Sequence, residues 1–600
     1  MSLPPVLRRT FLKSAICTVG TSRIPGWYEF HEATAEPSTV LSEFPYGDVD
    51  LHSRLHETQL NHQLELLLSL NEDSLMKPFR QMAGLPARGE DLGGWYSYNP
   101  GHDGTDGAYA PTATFGQWVS ALARIYAIRR SPEIRDKVMK LNRLSAQVIN
   151  GQYFKNNRFP TYCHDKLVCG LMDSHSLAQD PDALRILRQI TDAALPHMPG
   201  KAVDSSDESY TASENLFLAY QRGAGERYKQ LGMQYLADYY YDPLSEGKDN
   251  FAGRHAYSYI NSLSSAAQAY LTLGSRKHLQ AARNGFDLLT KQSYATGGWG
   301  PDETLQAAGS NDLLTSLTKS HHSFETPCGT YAHFKLTRYL LRITREARYG
   351  DSMERVMYNT VLGALPTQPD GRTFYYADCN FEGRKIYSSR LWPCCSGTLP
   401  QVAADYRICS YFRAKQDGLI KRQDVFINLY IPSTVRWIQN GSLVSLAQKS
   451  AYPTDGNIRF ELTLSKPAEF TLNWRIPQWA EGATIAVNGK RAPIEMVPGS
   501  FARLGREWKN GDRIDLELPM RMRLESLDSR QPRTVALMRG PLVLFPITKS
   551  AAKTTRAQLL TAAKTEPGRW LTANAQEPIE FAPFTEIKDE AYSTYMDVID

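Results

Sequence analysis

The sequence has 600 residues, and 42% of them are hydrophobic, which is enough to bury a large core divided among several domains. The net charge of +5 comes from 68 basic and 63 acidic residues, a balance that argues against a protein that binds nucleic acid through a basic surface. Aromatic residues make up 11% of the chain; most are explained by core packing, but flat amphipathic rings also suit the apolar faces of sugars.

The N-terminus carries a candidate export signal. Arg8-Arg9-Thr10-Phe11-Leu12-Lys13 has the twin-arginine pattern, and a short apolar stretch follows. We therefore predict that residues 1–35 are a twin-arginine signal peptide and linker and that the mature protein is periplasmic or extracellular; a disordered basic tail is the alternative. No other stretch approaches the roughly 18 to 20 apolar residues of a membrane span, so we predict none.

Residues 36–416 show pairs of amphipathic helical segments separated by short turns. At one turn Ser131 can cap the second helix and Pro132 can occupy its first position. The five predicted hairpins are 115–129 with 133–149, 167–177 with 183–195, 214–220 with 228–240, 262–273 with 277–292, and 330–345 with 352–362. Flanking helices over 60–84 and 402–412 bring the total to about twelve. This number predicts a closed (α/α)6 barrel with a cleft at one end; an open helical solenoid is the alternative.

After residue 416 the hydrophobic pattern changes to the period of two that is typical of strands. Candidate strands cover 425–430, 458–464, 470–476, 485–487 and 514–518, and turn signals such as Asn440-Gly441 and Asn488-Gly489 separate them. We predict one antiparallel β-sandwich over residues 417–548. Residues 549–600 are predicted to be a C-terminal extension of strands or a helix packed on the preceding domains. The predicted fold class is therefore α+β.

Four residues form a candidate metal site. Glu325 and Cys328 lie three residues apart at the start of a predicted helix, and the adjacent Cys394 and Cys395 follow in a tight segment. Three sulfurs and one carboxylate make a tetrahedral set that suits zinc. A buried set of unliganded thiols and a disulfide remain alternatives at this point.

A glycine-rich loop offers an acid for the same site. Thr296-Gly297-Gly298-Trp299-Gly300-Pro301-Asp302-Glu303 brings backbone close to a ligand and presents Glu303 from a turn. Most such loops are only turns. A zinc-bound thiol is ionised, however, so a thiolate nucleophile with a nearby carboxyl group would be able to catalyse a reaction.

The motifs resemble those of glycoside hydrolase family 127, the β-L-arabinofuranosidase family. The resemblance runs through 75–80, 162–166, 170–173, 253–256, the loop ending at Glu303, 325–328, 335–338, 394–395, 475–480, 487–489, 508–512 and 539–543. It covers nearly the whole chain and implies a hydrolase that acts on a carbohydrate with retention, an L-arabinofuranoside being the leading substrate.

The resemblance also implies roles for individual residues. Zinc is expected to be held by Glu325, Cys328, Cys394 and Cys395, and Cys394 is expected to attack the anomeric carbon. Glu303 is expected to act as acid and then base, with a pKa raised by an apolar site. Three further residues are expected to contact the sugar: His164, His255 and Gln117. A core histidine satisfied by backbone is the alternative for both histidines.

Three departures from the family pattern are visible. Thr326 and Pro327 together separate Glu325 from Cys328, where one residue is usual, so His321 or His322 could replace the carboxylate as a ligand. Gln117 stands where the family has a histidine, and Ser396-Gly397-Thr398 replaces the usual residues after the cysteine pair. A non-catalytic glycan-binding protein with a structural zinc, and a polysaccharide lyase or epimerase on the same barrel, are the alternative functions.

Overall fold

The computed structural model describes residues 40–99, 110–414, 424–547, 554–573 and 577–600. The predicted export signal at residues 1–35 lies outside these ranges and stays a prediction. Within them, each helix is too short or too polar to serve as a membrane span.

Helices dominate the first two thirds of the chain. In chain order they are α1 Arg54–Ser69, α2 Glu72–Met82, α3 Pro111–Arg129, α4 Pro132–Val148, α5 Gly151–Lys155, α6 Pro160–Ser176, α7 Ala183–Ala194, α8 Ser213–Gln221, α9 Glu226–Gln234, α10 Asp238–Ser245, α11 Ala256–Leu273, α12 Arg276–Thr290, α13 Asp312–Lys319, α14 Thr326–Thr344, α15 Arg348–Asn359 and α16 Cys394–Ser410, with a short α17 at Arg556–Leu560.

Six of these helices form a closed inner ring. Neighbours in the ring contact one another in the order α3, α6, α8, α11, α14, α16 and back to α3. Each inner helix also packs on an outer one, respectively α4, α7, α9, α12, α15 and α1. The arrangement is the predicted (α/α)6 barrel, and closure of the ring excludes the open solenoid.

Helices of the inner and outer rings differ in the share of their side chains that is buried. In α14 and α16 nearly every side chain is buried, polar ones included, because a helix of the inner ring is covered on all sides. Outer helices such as α7 and α15 are amphipathic and bury only the face that packs on the inner ring.

Three predicted helices differ from the structure. The segment 60–84 is divided into α1 and α2. The segment 228–240 is divided into α9 and α10; it was predicted as one helix because the buried Tyr228 and Tyr240 continue the apolar pattern across the break. The segment 402–412 belongs to a helix that begins at Cys394, earlier than predicted. Small residues and the internal Pro400 resemble turn signals in this stretch, although the buried helix includes all of them.

The strands occupy three main sheets and two short ladders. The first has the order β1 Leu41–Glu43, β7 Tyr411–Ala414, β8 Asp424–Ile427, β12 Ala468–Ile476 and β15 Ser500–Trp508. The second has the order β14 Lys490–Arg491, β13 Thr484–Val487, β16 Arg513–Glu517, β11 Asn457–Leu464, β10 Ser442–Ser450, β9 Ser433–Gln439 and β2 Val49–Leu51. Pairing is antiparallel throughout, except that β8 and β12 are parallel.

The third sheet has the order β17 Met522–Ser526, β18 Thr534–Arg539, β19 Leu542–Pro546, β22 Glu580–Ala582, β21 Arg569–Leu571 and β20 Ala563–Glu566, with β23 Met596–Asp597 beside β18. Two short ladders in the barrel loops complete the set: β3 Phe324–Glu325 with β5 Tyr376–Ala377, and β4 Arg372–Phe374 with β6 Tyr387–Leu391.

This topology divides the stretch 417–548, which the sequence assigns to one sandwich. Its last three strands leave the sandwich and pair with the C-terminal extension. The sandwich sheets gain β1 and β2 from the start of the barrel segment instead. Strand pairing between distant parts of the chain is not visible in local periodicity, which explains the difference.

A buried arginine joins the barrel to the sandwich. Arg475 on β12 is fully buried, pairs with Asp351 and donates to Glu354 at 2.7 Å, both carboxylates being on α15. A charge in such a place is tolerated because it is paired. The Arg475-Ile476-Pro477 motif therefore serves the interface and not the chemistry.

Candidate active site

Three inner helices begin at the same place and bring their first residues together. Cys394 is the first residue of α16, Glu325 directly precedes α14, and His255 directly precedes α11. The N-terminus of a helix carries a partial positive charge from its unpaired N–H groups. This end of the barrel is therefore suited to thiolates and carboxylates.

The four predicted metal ligands converge on one point. Their ligand atoms all lie within 4.8 Å of one another. The Sγ atom of Cys394 is 3.2 Å from Oε1 of Glu325, and Cys395 Sγ lies 3.6 Å from the same oxygen. The sulfurs of Cys395 and Cys328 are also 3.6 Å apart, far beyond a disulfide bond of about 2.0 Å. All the described cysteines are free thiols, which excludes a disulfide between these residues.

The set fits a tetrahedral metal ion. Bonds of about 2.3 Å to sulfur and about 2.0 Å to oxygen give ligand separations of roughly 3.5 to 3.8 Å, close to the observed distances. The remaining carboxylate oxygen, Oε2 of Glu325, is buried and has no hydrogen-bond partner among the described residues. Glu325, Cys328, Cys394 and Cys395 could therefore hold a metal ion, and the extra residue between Glu325 and Cys328 does not displace the carboxylate.

The thiols differ in acidity. Hydrogen bonds from Cys328 and Cys395 hold the pKa of Cys394 well below its usual range. Burial raises the pKa values of Cys328 and Cys395. Cys394 is also partly exposed, whereas the other two are fully buried. It is therefore the sulfur that combines ionisation with access.

Glu303 lies beside this cluster, as its predicted pairing with Cys394 requires. One of its carboxylate oxygens lies within 4.8 Å of the nearest ligand atoms of His255 and Glu325. The hydroxyl of Tyr376 donates to its Oε1, and Nε2 of His255 is 3.4 Å from its Oε2. Burial raises the pKa of Glu303, but these hydrogen bonds outweigh burial and leave the pKa below its ordinary value. The expectation of a raised pKa is therefore wrong, because polar neighbours surround the carboxylate.

The backbone of the glycine-rich loop explains how Glu303 reaches the site. Asp302 and Glu303 both have left-handed backbones, with φ of 52° and 56°. Gly300 approaches α11 so closely that a Cβ atom would meet that of Ala256 at 2.4 Å. Non-glycine residues rarely adopt this conformation, and strain of this kind is typical of functional loops.

The predicted sugar-contacting residues fall into two groups. His255 joins the site through Glu303, whereas His164 is 1% exposed and its Nε2 is 3.0 Å from the hydroxyl of Thr191 on α7. That contact joins an inner helix to an outer one, while Nδ1 of His164 is buried without a partner among the described residues, so the sugar contact of His164 stays a prediction. Gln117 packs against Gly397 in the first turn of α16, and both polar atoms of its buried amide lack partners among the described residues.

His321 and His322 have other partners than the cluster. Nδ1 of His321 is 2.6 Å from Asp378, and the ring of His322 stacks on Tyr376 with the centroids 4.2 Å apart. Neither histidine belongs to the group of candidate metal ligands, so neither replaces Glu325.

Several site residues were missed in the sequence. The β3–β5 ladder places Tyr375 and Tyr376 beside Glu325, and the hydroxyl of Tyr375 is 3.6 Å from Cys394 Sγ. Glu208 reaches His255 from a loop, with 3.5 Å between its Oε1 and Nδ1 of the histidine. The adjacent tyrosines after Phe374 were a usable aromatic signal, but nothing in the pattern around Glu208 distinguishes it from a surface acid.

Comparisons with known proteins agree with this geometry. The family model described as the β-L-arabinofuranosidase GH127 catalytic domain matches residues 48–407, and the model of the GH127 middle domain matches residues 424–520. A search of curated protein sequences finds no match.

Solved structures show the same fold. A GH127 β-L-arabinofuranosidase from Geobacillus stearothermophilus T6 is 19% identical with a TM-score of 0.70, and the alignment covers 92% of this chain and 100% of that one. A second structure, a GH127 β-arabinofuranosidase, is 16% identical with a TM-score of 0.71 and coverage of 93% and 98%. Because the catalytic-domain match spans more than half of the sequence, the chain belongs to glycoside hydrolase family 127 and is a glycoside hydrolase that acts on a carbohydrate.

Proposed function

We propose that the protein is a retaining glycosidase that uses Cys394 as its nucleophile, Glu303 as its acid and base, and zinc as its metal. The observation that carries the proposal is the position of the most acidic and most accessible thiol of a Cys3Glu cluster beside a second carboxylate. A purely structural metal site does not need that carboxylate. The pair therefore favours catalysis over a non-catalytic glycan-binding role.

The two groups can complete a double displacement. Cys394 Sγ attacks the anomeric carbon, forming a C–S bond as the C–O bond to the leaving group breaks, and Glu303 gives its proton to the departing oxygen. Water then attacks the same carbon, Glu303 takes a proton from it, and the C–S bond breaks to return the thiolate. Two inversions give net retention.

His255 and Tyr376 prepare Glu303 for these steps. Both donate hydrogen bonds to its carboxylate, so they orient it and favour the ionised form in which it takes a proton from water. Burial opposes a charge on His255, but Glu303 and Glu208 outweigh burial and raise the histidine pKa. Zinc bound by Glu325, Cys328, Cys394 and Cys395 supplies the remaining chemistry, because it keeps the thiols ionised at neutral pH.

The substrate proposed is a terminal β-L-arabinofuranoside or a related neutral sugar of a glycan. The solved structures that share this fold are described as β-L-arabinofuranosidases and β-arabinofuranosidases. At these low identities the likeness establishes the fold alone, and the sugar is part of the proposal.

The test combines metal analysis with kinetics on aryl glycosides. Purified protein should contain about one zinc ion per chain and should hydrolyse an aryl β-L-arabinofuranoside, with NMR detecting the β-anomer as the first product. Cys394→Ser should lower kcat/KM by at least about 1,000-fold with an unchanged circular dichroism spectrum.

Cys163→Ser is the matched control, because Cys163 is a buried thiol outside the cluster whose sulfur is 3.5 Å from Oδ1 of Asn157. Its activity should remain near that of the wild type. Near-normal turnover by the Cys394 variant, or an inverted first product, would refute the proposed mechanism.

A further inference from the structure

Glu208 occupies a strained position at the mouth of the barrel. Its φ of 49° is left-handed, a conformation that L-residues other than asparagine and aspartate rarely adopt. The turn is fixed by Glu208 N donating to Ser205 O at 3.0 Å and by Thr211 N donating to Glu208 O at 2.9 Å. The conformation directs the carboxylate to Nδ1 of His255, whereas Glu303 lies at Nε2 of the same ring.

The second oxygen of this carboxylate is left without a partner. Oε2 of Glu208 is buried and accepts no hydrogen bond from the described residues. The hydroxyl of Tyr257 is also buried without a hydrogen-bond partner among the described residues. The centroids of the Tyr257 and His255 rings are 6.4 Å apart. The amide of Gln117, against the cysteine helix, is the third such group.

Buried polar atoms without partners are uncommon in native proteins. Here four such atoms, on three residues, lie near the reacting groups. A carboxylate accepts from hydroxyls, whereas an amide and a phenol can both donate and accept. Each of the three groups is therefore one that a sugar hydroxyl can satisfy.

There is also space for such a ligand on the Glu208 side. A cavity of about 560 Å³ is lined by Glu208, His255, Tyr210 and Tyr259, among others. This volume lies within the usual range for small-molecule sites. The cavity is also lined by Arg254, which pairs with Asp204 at 2.9 Å, and the buried Lys166 donates to Asp165 at 2.7 Å, so both cations have acidic partners.

We propose that Glu208 accepts hydrogen bonds from ring hydroxyls of the sugar that reacts at Cys394 and thereby distinguishes sugars by the hydroxyls that they carry. The inference rests on the proposed glycosidase function and adds to it a specificity-determining residue.

The test compares Glu208→Gln with Glu246→Gln on an aryl β-L-arabinofuranoside and on its 2-deoxy and 3-deoxy analogues. Glu246 follows α10, is largely exposed and pairs with Lys248, so it controls for the same chemical change away from the site. Glu208→Gln should lower kcat/KM by about 10-fold to 100-fold on the parent sugar. The loss should shrink to within a few-fold on the deoxy sugar that lacks the bonded hydroxyl.

A merely structural role would lower activity equally on all three sugars, and that result would overturn the inference. So would equal activity of Glu208→Gln and the wild type. If the Glu208 variant does not fold, the wild type alone decides: similar kcat/KM for the parent and both deoxy sugars overturns the inference, and a loss of 10-fold or more with either supports it. A wild type that hydrolyses none of these sugars and does not bind L-arabinose in calorimetry overturns the proposed function itself.

Discussion

Both ends of the barrel axis contain buried charged groups, but the two ends satisfy them differently. At the end away from the cysteines, Arg124 donates to Asp173 at 2.9 Å and to Asp405 at 3.0 Å. Lys335 pairs with Glu214 in the same interior. Arg124, Asp173 and Asp405 lie in the later turns of their inner helices, and the eleven residues from Cys394 to Asp405 correspond to about 16 Å along α16.

At the cysteine end, by contrast, the polar groups are left incomplete. Gln117, Glu208 and Tyr257 each present a buried polar atom without a partner in the part of the chain that the structure describes. A complete network stabilises the fold, whereas an incomplete one is a cost that a ligand can remove. Substitutions at the two ends should therefore change different quantities.

The largest expected effect is on catalysis at the cysteine end. Glu303→Gln keeps the size of the side chain but cannot donate and recover a proton, so kcat/KM for an aryl glycoside should fall about 100-fold to 10,000-fold. The free energy of unfolding, measured by urea denaturation, should change by less than about 1 kcal/mol because Tyr376 can still donate to the amide oxygen. A variant with activity within tenfold of the wild type would contradict the assignment of Glu303.

The far end should show the opposite behaviour. Arg124→Met removes the cation that Asp173 and Asp405 share, although Arg222 and Arg338 still pair with them, and should lower the free energy of unfolding by about 2 to 3 kcal/mol, with an unchanged KM in the folded fraction. Arg185→Met is the control, since Arg185 is exposed, pairs only with Asp182 and should lose less than about 1 kcal/mol. A changed KM with unchanged stability would remove the distinction between the two ends.

The same contrast explains what the sequence could predict. The inner and outer helices, the sandwich strands and the clustering of Glu325 with the three cysteines were predictable, because period, turn residues and ligand chemistry are local or compositional signals. The contacts of His164 were not, because a helix face cannot be assigned from a motif alone; in the structure its Nε2 lies 3.0 Å from the hydroxyl of Thr191. Glu208 was missed because its role depends on a loop conformation and on partners distant in sequence.

A smaller effect is expected from the packing of Gln117. A Cβ atom at position 397 would lie 2.1 Å from Oε1 of Gln117 and 3.0 Å from its Cβ, so Gly397→Ala must displace the amide. We expect a destabilisation of about 1 to 3 kcal/mol together with a raised KM. Gly200→Ala is the control, because nothing lies within 4 Å of its added Cβ. Thermal unfolding measures the stability and substrate titration measures KM. An unchanged KM would show that Gln117 does not contribute to substrate binding.

The smallest effect per residue concerns the interface between the two rings. Burial lowers the pKa of His56 to about 3 and the pKa values of His164 and His333 to about 4. His164 and His333 each contact a hydroxyl of an outer helix, whereas His56 contacts the hydroxyl of Ser53 at the start of its own helix. Unfolding releases them to an ordinary pKa near 6.5, so the unfolded chain binds more protons below that pH. Their contribution is fully present above about pH 6.5 and is lost as the pH falls toward 4.

Each histidine should therefore add roughly 1 kcal/mol per pH unit to the slope of the unfolding free energy in that window. Urea denaturation at pH 7, 6 and 5 measures the slope, and His164→Gln should reduce it by the share of one histidine while leaving kcat/KM at pH 7 near the wild-type value. An unchanged slope, or a large loss of activity at pH 7, would instead support the predicted sugar contact of His164.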